Sequence, residues 1–162
     1  MNRIIFLFLL TSFLSAIETV KSQDLPFRKE VNFIDSVLKE NPYFESFLEI
    51  TYHYSIDISA EKELIVKMDF DGPFSTTFTA RLTDLNNTFI VDTTEYTSSI
   101  CWLCKEGDPG KENRCVRQAN FYTTGEKDIV DSDNICIMLT TKSKIRVEII
   151  KAIEDLIKKV LE

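Results

Sequence analysis

The chain has 162 residues, with 26 acidic against 19 basic, a formal net charge of -7 and 11% aromatic residues, 12 of them Phe. That length amounts to about one domain, and the aromatic content excludes a disordered chain. The negative balance opposes binding to nucleic acid or to anionic lipid, since both are polyanions.

The chain opens with Arg3 and an apolar run, Ile4 to Leu10, that continues through Phe13, Leu14 and Ile17. A short positive head, an apolar centre and a small-residue exit describe a secretory signal peptide. Cleavage is expected after Ser22, with Val20 two residues before it; cleavage after Ala16 is the alternative. The run interrupted by Thr11, Ser12 and Ser15 falls short of the roughly 20 residues that span a bilayer. Residues 1–22 are therefore expected to leave, and 23–162 to form a single secreted α+β domain with no membrane contact. A domain of that size buries roughly two-thirds of its unfolded surface, so it needs no metal to fold.

Val31, Ile34 and Leu38, widened by Phe33 and Val37, predict a helix over 28–39. Asn41-Pro42 ends it, because the residue before proline avoids helical angles. Residues 43–48 are either a further helical turn or the approach to a strand. Tyr52, Tyr54, Ile56 and Ile58 then alternate with polar residues, as do Leu64, Val66, Met68 and Phe70 around Ile65, Lys67 and Asp69. Period two puts each set on one buried face, and Ala60-Glu61-Lys62-Glu63 is short enough to join them as a hairpin. Asp71-Gly72-Pro73 is a turn signal. Strands are expected over 74–83, 88–97, 99–104 and 115–122, with a polar loop at 123–133 and a last strand on Ile135, Ile137 and Leu139. Ile145, Ile149, Ala152, Ile153, Leu156, Ile157, Val160 and Leu161 make the apolar stripe of a closing amphipathic helix from about Lys144. The stripe is expected to pack on the sheet, because its polar side mixes both signs and lacks the basic bias of a lipid-surface helix. The fold class is thus α+β: one antiparallel β-sheet of about five to seven strands, flanked by an N-terminal helix and a C-terminal amphipathic helix.

Four cysteines, Cys101, Cys104, Cys115 and Cys136, all lie in the second half. Behind an export signal an even count reads as two disulfides. Cys101-Trp102-Leu103-Cys104 has redox spacing, yet no βαβ unit or helix N-terminus surrounds it to depress a thiol pKa. A four-thiolate zinc site needs a second close pair, which Cys115 and Cys136 do not form. Of three connectivities, Cys104–Cys115 is favoured as a bridge at the mouth of a hairpin, where facing side chains come close. Cys101–Cys136 follows by elimination, although a simple meander would place Cys136 one strand too far away.

His53 is the only histidine, so any Ser-His-Asp or Cys-His arrangement must use it; with no nucleophile elbow, a surface or partly buried strand histidine is favoured. Asp69-Phe70-Asp71-Gly72 and Asp131-Ser132-Asp133-Asn134 resemble fragments of calcium loops but lack the full oxygen series and the later Glu, and read as turns. Neither a metal nor a cofactor is expected. Asn86-Asn87-Thr88 is a glycosylation acceptor sequence.

The early helix, antiparallel strands and four cysteines in the second half resemble the outline of the cystatins. Their Gln-x-Val-x-Gly hairpin is absent, since Ser59-Ala60-Glu61-Lys62 stands between the first strands. The cysteine spacing differs and the long terminal helix is extra, so protease inhibition does not transfer. The reading that follows is a secreted, extracellular, non-enzymatic binding module contacting a protein or a small apolar ligand. Its contact surface is expected on the 101–115 loop, with an exposed Trp102 as the interface anchor; a Trp102 buried beside a disulfide is the alternative, with at least equal support. A small secreted carboxylate-dependent hydrolase is the alternative, which convergent buried acids in a cleft would favour.

Overall fold

The computed structural model describes residues 25–72, 74–86, 90–93, 98–106, 113–139 and 143–161. The segment 1–22 expected as a signal peptide, Asn87 and Thr88 of the acceptor triplet, Pro73 and the 107–110 loop tip lie outside the described residues.

Helix α1 spans Arg28–Glu40 and buries Val31, Ile34 and Leu38, the expected stripe. Asn41 closes it, its side-chain Nδ2 donating to the Val37 carbonyl at 3.0 Å, and Pro42 prevents continuation. A short strand β1 (Tyr43–Glu45) follows, then β2 (Ile50–Ile58), β3 (Glu63–Phe70) and β4 (Phe74–Arg81). A 3-10 turn at Leu82–Asp84 leads to β5 (Ile90–Thr93) and β6 (Ser98–Leu103). The chain continues with β7 (Val116–Tyr122), β8 (Lys127–Ser132), β9 (Asn134–Leu139) and helix α2 (Ser143–Leu161).

The α+β class stands, but the strands divide between two antiparallel sheets. Six form one sheet in the order β1-β2-β3-β4-β7-β8, and three form another in the order β5-β6-β9. The chain crosses between sheets after β4, after β6 and after β8. At the last crossing, a bend at Asp133 is tied to the smaller sheet by the Cys104 N–H, which donates to the Asp133 carbonyl at 2.8 Å. This explains why Cys136 is not a strand too far away. β7 and β8 leave for the larger sheet, and β9 returns to pair directly with β6, Cys101 opposite Cys136.

Residues 127–132, expected as part of a loop, form β8 instead. Residues 127–131 are exposed on both faces, so burial imposes no alternation that the sequence could display. The three-residue turn Thr123–Gly125, with Gly125 at φ 87, sets their register; a left-handed residue there costs little only for glycine.

Inner faces and helices share one core. Ile56, Ile58, Leu64, Val66 and Ala80 meet Ile100, Trp102, Ile135, Ile137 and Leu139 from the smaller sheet. Ile149, Ile153, Leu156 and Val160 of α2 complete it. α1 lies beside β2 and packs against α2, and Lys62 in the β2–β3 turn donates to the Val160 carbonyl at 2.7 Å. The turn that would be an inhibitory hairpin in a cystatin is thus tied to α2.

Candidate functional site

Period two places Tyr52 on the same face of β2 as Tyr54, Ile56 and Ile58. The burial of that face fades along the strand, from Ile58 and Ile56 in the core to a half-buried Tyr52. β3 repeats the gradient, from Leu64 to Phe70. At the open end the register aligns Tyr43 with Tyr52, Tyr52 with Phe70 and Phe74 with Tyr122, and the β3–β4 turn brings Phe70 against Phe74. Five aromatic rings therefore form one row across five strands. Successive centroids are 6.1, 5.6, 4.6 and 5.7 Å apart, within the range of favourable tilted and edge-to-face pairs. Between row and core lies a polar step, where Thr76 Oγ1 donates to Asn120 Oδ1 at 3.0 Å and Gln118 Nε2 donates to the same oxygen at 3.1 Å.

One carboxylate shapes the rim. Glu45 accepts from the Tyr43 hydroxyl at 2.9 Å and from the Phe47 N–H at 3.1 Å. It thereby fixes the 46–49 turn, in which Glu49 takes a left-handed conformation at φ 54. Phe47 stands 90% exposed and Leu48 beside it is exposed too. Burial first, then the Glu45 contact, push the Tyr43 phenol up to about 12. Tyr54, one row inward, is pushed up to about 12 mainly by burial, while its hydrogen bond with the Met138 backbone ties β2 to β9. Both phenols are neutral at physiological pH. Both hydroxyls are buried, so what the rim offers to solvent is the aromatic and aliphatic surface of Phe47, Leu48 and the outer rings of the row, an arrangement that can dock an apolar or aromatic group.

The residues singled out in the sequence fall elsewhere. Of the two readings of Trp102, exposed anchor or buried beside a disulfide, the buried one holds: it is 2% exposed and belongs to the core, because it shares a face with Ser98 and Ile100 and pairs with Ile135. The cysteines form Cys101–Cys136 and Cys104–Cys115, with Cα separations of 4.2 and 5.7 Å. The second bond is not at a hairpin mouth: it joins the end of β6 to the start of β7, strands of different sheets. Asn86 lies half-buried against that corner, its N–H donating to the Leu103 carbonyl at 2.8 Å and its Nδ2 to the Cys104 carbonyl at 3.4 Å. His53 is exposed on the outer face, opposite Asp69. Among the described residues no Asp or Glu is buried as a whole, although Glu30 buries one carboxylate oxygen, and no cluster of three metal-ligating side chains occurs.

The aromatic row carried a sequence signal that composition hides. Phe70 and Phe74 flank one turn, Tyr122 precedes the next, and Tyr43 and Tyr52 sit on either side of the 46–49 turn. Aromatics beside successive turns at the same end of a meander must align.

The chain matches no protein-family model, no curated protein and no solved structure. Among the described residues no helix is long and apolar enough to cross a membrane. The two disulfides fit a small, disulfide-stabilised, extracellular-type module.

Proposed function

We propose that this is a secreted, non-enzymatic binding module whose contact surface is the aromatic end of the six-stranded sheet. The observation that carries this reading is Phe47, 90% exposed in a turn whose backbone Glu45 ties down, at the same end of the sheet as five aligned rings. Large apolar side chains fixed in solvent beside further aromatic surface are the usual anchors of an interface. The partner is an extracellular protein or a small apolar ligand that covers Phe47 and Leu48. Export through removal of residues 1–22 and glycan attachment at Asn86 belong to the same proposal, and the intact mass of the exported protein, with and without glycan removal, reports both.

The test compares the exported protein with a Phe47→Ser, Leu48→Ser variant. Immobilised wild type captures a partner from the extracellular fluid that surrounds it, and the variant does not. A fluorescent apolar probe such as anilinonaphthalene sulfonate brightens on wild type more than on the variant if the natural ligand is small and apolar. Equal capture and equal probe response by both proteins would remove the aromatic end from the reading.

A further inference from the structure

Each residue of a strand points its N–H and C=O to the same side, and the side alternates along the strand. In β8 the phase is fixed by the turn before it, where the Tyr122 N–H donates to the Glu126 carbonyl at 3.0 Å. Glu126, Asp128, Val130 and Ser132 therefore direct their backbone groups to β7, and Lys127, Ile129 and Asp131 direct theirs outward. No described strand lies beyond β8. Ile129 and Val130 are 45% and 43% exposed on its two faces.

Such an edge accepts another strand by continuing the ladder, and its own sequence fits it. We propose that β8 pairs with β8 of a second copy of this chain, antiparallel across a two-fold axis at Ile129. In that register Ile129 faces Ile129, so two exposed side chains cover each other. Lys127 faces Asp131 of the second copy, and Asp131 faces its Lys127, giving two opposite-charge cross-strand pairs. Lys127, Ile129 and Asp131 all present outward backbone groups, so every direct pairing of these residues exchanges two backbone hydrogen bonds. Sliding by two residues one way sets Asp128 against Asp128. Sliding the other way sets Ile129 against Asp131 and moves Lys127 to Asp133, where the chain has bent away from the sheet. Charge thus excludes the first slide, the bend at Asp133 and the Ile129–Asp131 mismatch disfavour the second, and in the remaining register the two larger sheets become one continuous sheet. Phe121, which lies under the Lys127 ammonium at 4.9 Å from the ring centroid, borders the joint on the same face as Ile129.

A single strand pair is a small interface, so the association is weak and depends on concentration. Sedimentation velocity of the exported chain is expected to show a monomer at low concentration and a growing dimer towards about 1 mM, less at high salt. Ile129→Pro removes the N–H at the axis without touching the ladder to β7, since that N–H points outward; the dimer weakens by roughly tenfold or more. Asp131→Lys sets like charges across the joint and has the same effect, and adding Lys127→Asp restores association. Backbone exchange supplies a second readout: the Ile129 amide gains protection as concentration rises. A single monomeric species up to about 1 mM overturns the proposal. A dimer that survives Ile129→Pro, or one that Asp131→Lys leaves unchanged, overturns it equally.

Discussion

Along β2 the six-stranded sheet ends under a helix, and along β8 it ends in water. Both edges leave backbone groups without a strand to pair with. On the β2 side, beyond the short reach of β1, Asp35 of α1 accepts from the Ile56 N–H at 3.1 Å, and Arg28 donates to the Ile58 carbonyl at 3.1 Å while pairing with Asp57. The Ile58 N–H is taken by Asp57 at 2.7 Å. A helix can close a strand edge when two of its side chains reach the strand backbone and its apolar stripe buries the neighbouring face. Nothing described does this for β8, whose protection is three charged side chains, Lys127, Asp128 and Asp131. One edge is built into the stability of the domain, and the other is left available.

That contrast breaks first at the core of each side. Ile34 is fully buried in α1, so Ile34→Ala is expected to cost about 2–5 kcal/mol, as loss of a large core side chain does. Ile129→Ala in the monomer is expected to stay within about 0.5 kcal/mol, as for exposed sites. Urea unfolding at low concentration measures both, and comparable losses would mean that β8 is part of the cooperative core.

Alkaline titration sharpens the comparison at the inner contact. Tyr54 has its phenol raised by burial in the core to about 12 from an ordinary 10, against a smaller lowering by its hydrogen bond with the Met138 backbone. The folded state thus keeps the proton after the unfolded chain has lost it. The stability this contributes is complete below pH 10 and is lost as pH rises through 12, by roughly 2–3 kcal/mol for a shift of two units. Tyr54→Phe should remove that portion of the fall between pH 10 and 12, while Tyr43 retains its own. A variant whose alkaline transition coincides with wild type would separate Tyr54 from the linkage.

At the closed edge itself, Asp35→Ala leaves the Ile56 N–H without its acceptor. The expected loss is about 1–2 kcal/mol, with little added by the exposed Asp35–Lys39 pair. Hydrogen exchange checks the mechanism as well as the magnitude: the Ile56 amide should exchange faster than its neighbours in β2.

Why one edge was legible in the sequence and the other was not follows from burial. Val31, Ile34 and Leu38 recur at helical spacing because one face of α1 is covered, and Tyr54, Ile56 and Ile58 alternate because one face of β2 is. β8 is uncovered on both sides, so its residues obey no period, and Gly125 was the sole local trace of its turn. The division into two sheets was illegible for a different reason. β6 and β9 pair across more than 30 residues, and nothing in either strand names its partner. Trp102 could be read either way from sequence, as an exposed anchor or as a buried neighbour of a disulfide, and its place in the alternation of β6, on the face of Ile100, puts it inside.

The smallest expected effect lies on the far side of α1, where Glu30 pairs with Lys159 and joins the two helices. The Lys159 contact lowers the Glu30 pKa from 4.5, against an opposing push from burial. A lowered carboxylate contributes stability above its unfolded value and loses it as pH falls through the folded one. The pair is half open to solvent at Lys159, so screening holds its contribution under about 1 kcal/mol. Lys159→Ala should therefore make stability below pH 4.5 slightly less sensitive to acid, and a double-mutant cycle with Glu30→Gln should give a small coupling that salt diminishes. A coupling that persists in high salt would mean that the helix pair, like the β2 edge, is closed by a contact the solvent does not reach, and that α1 is clamped on both sides rather than one.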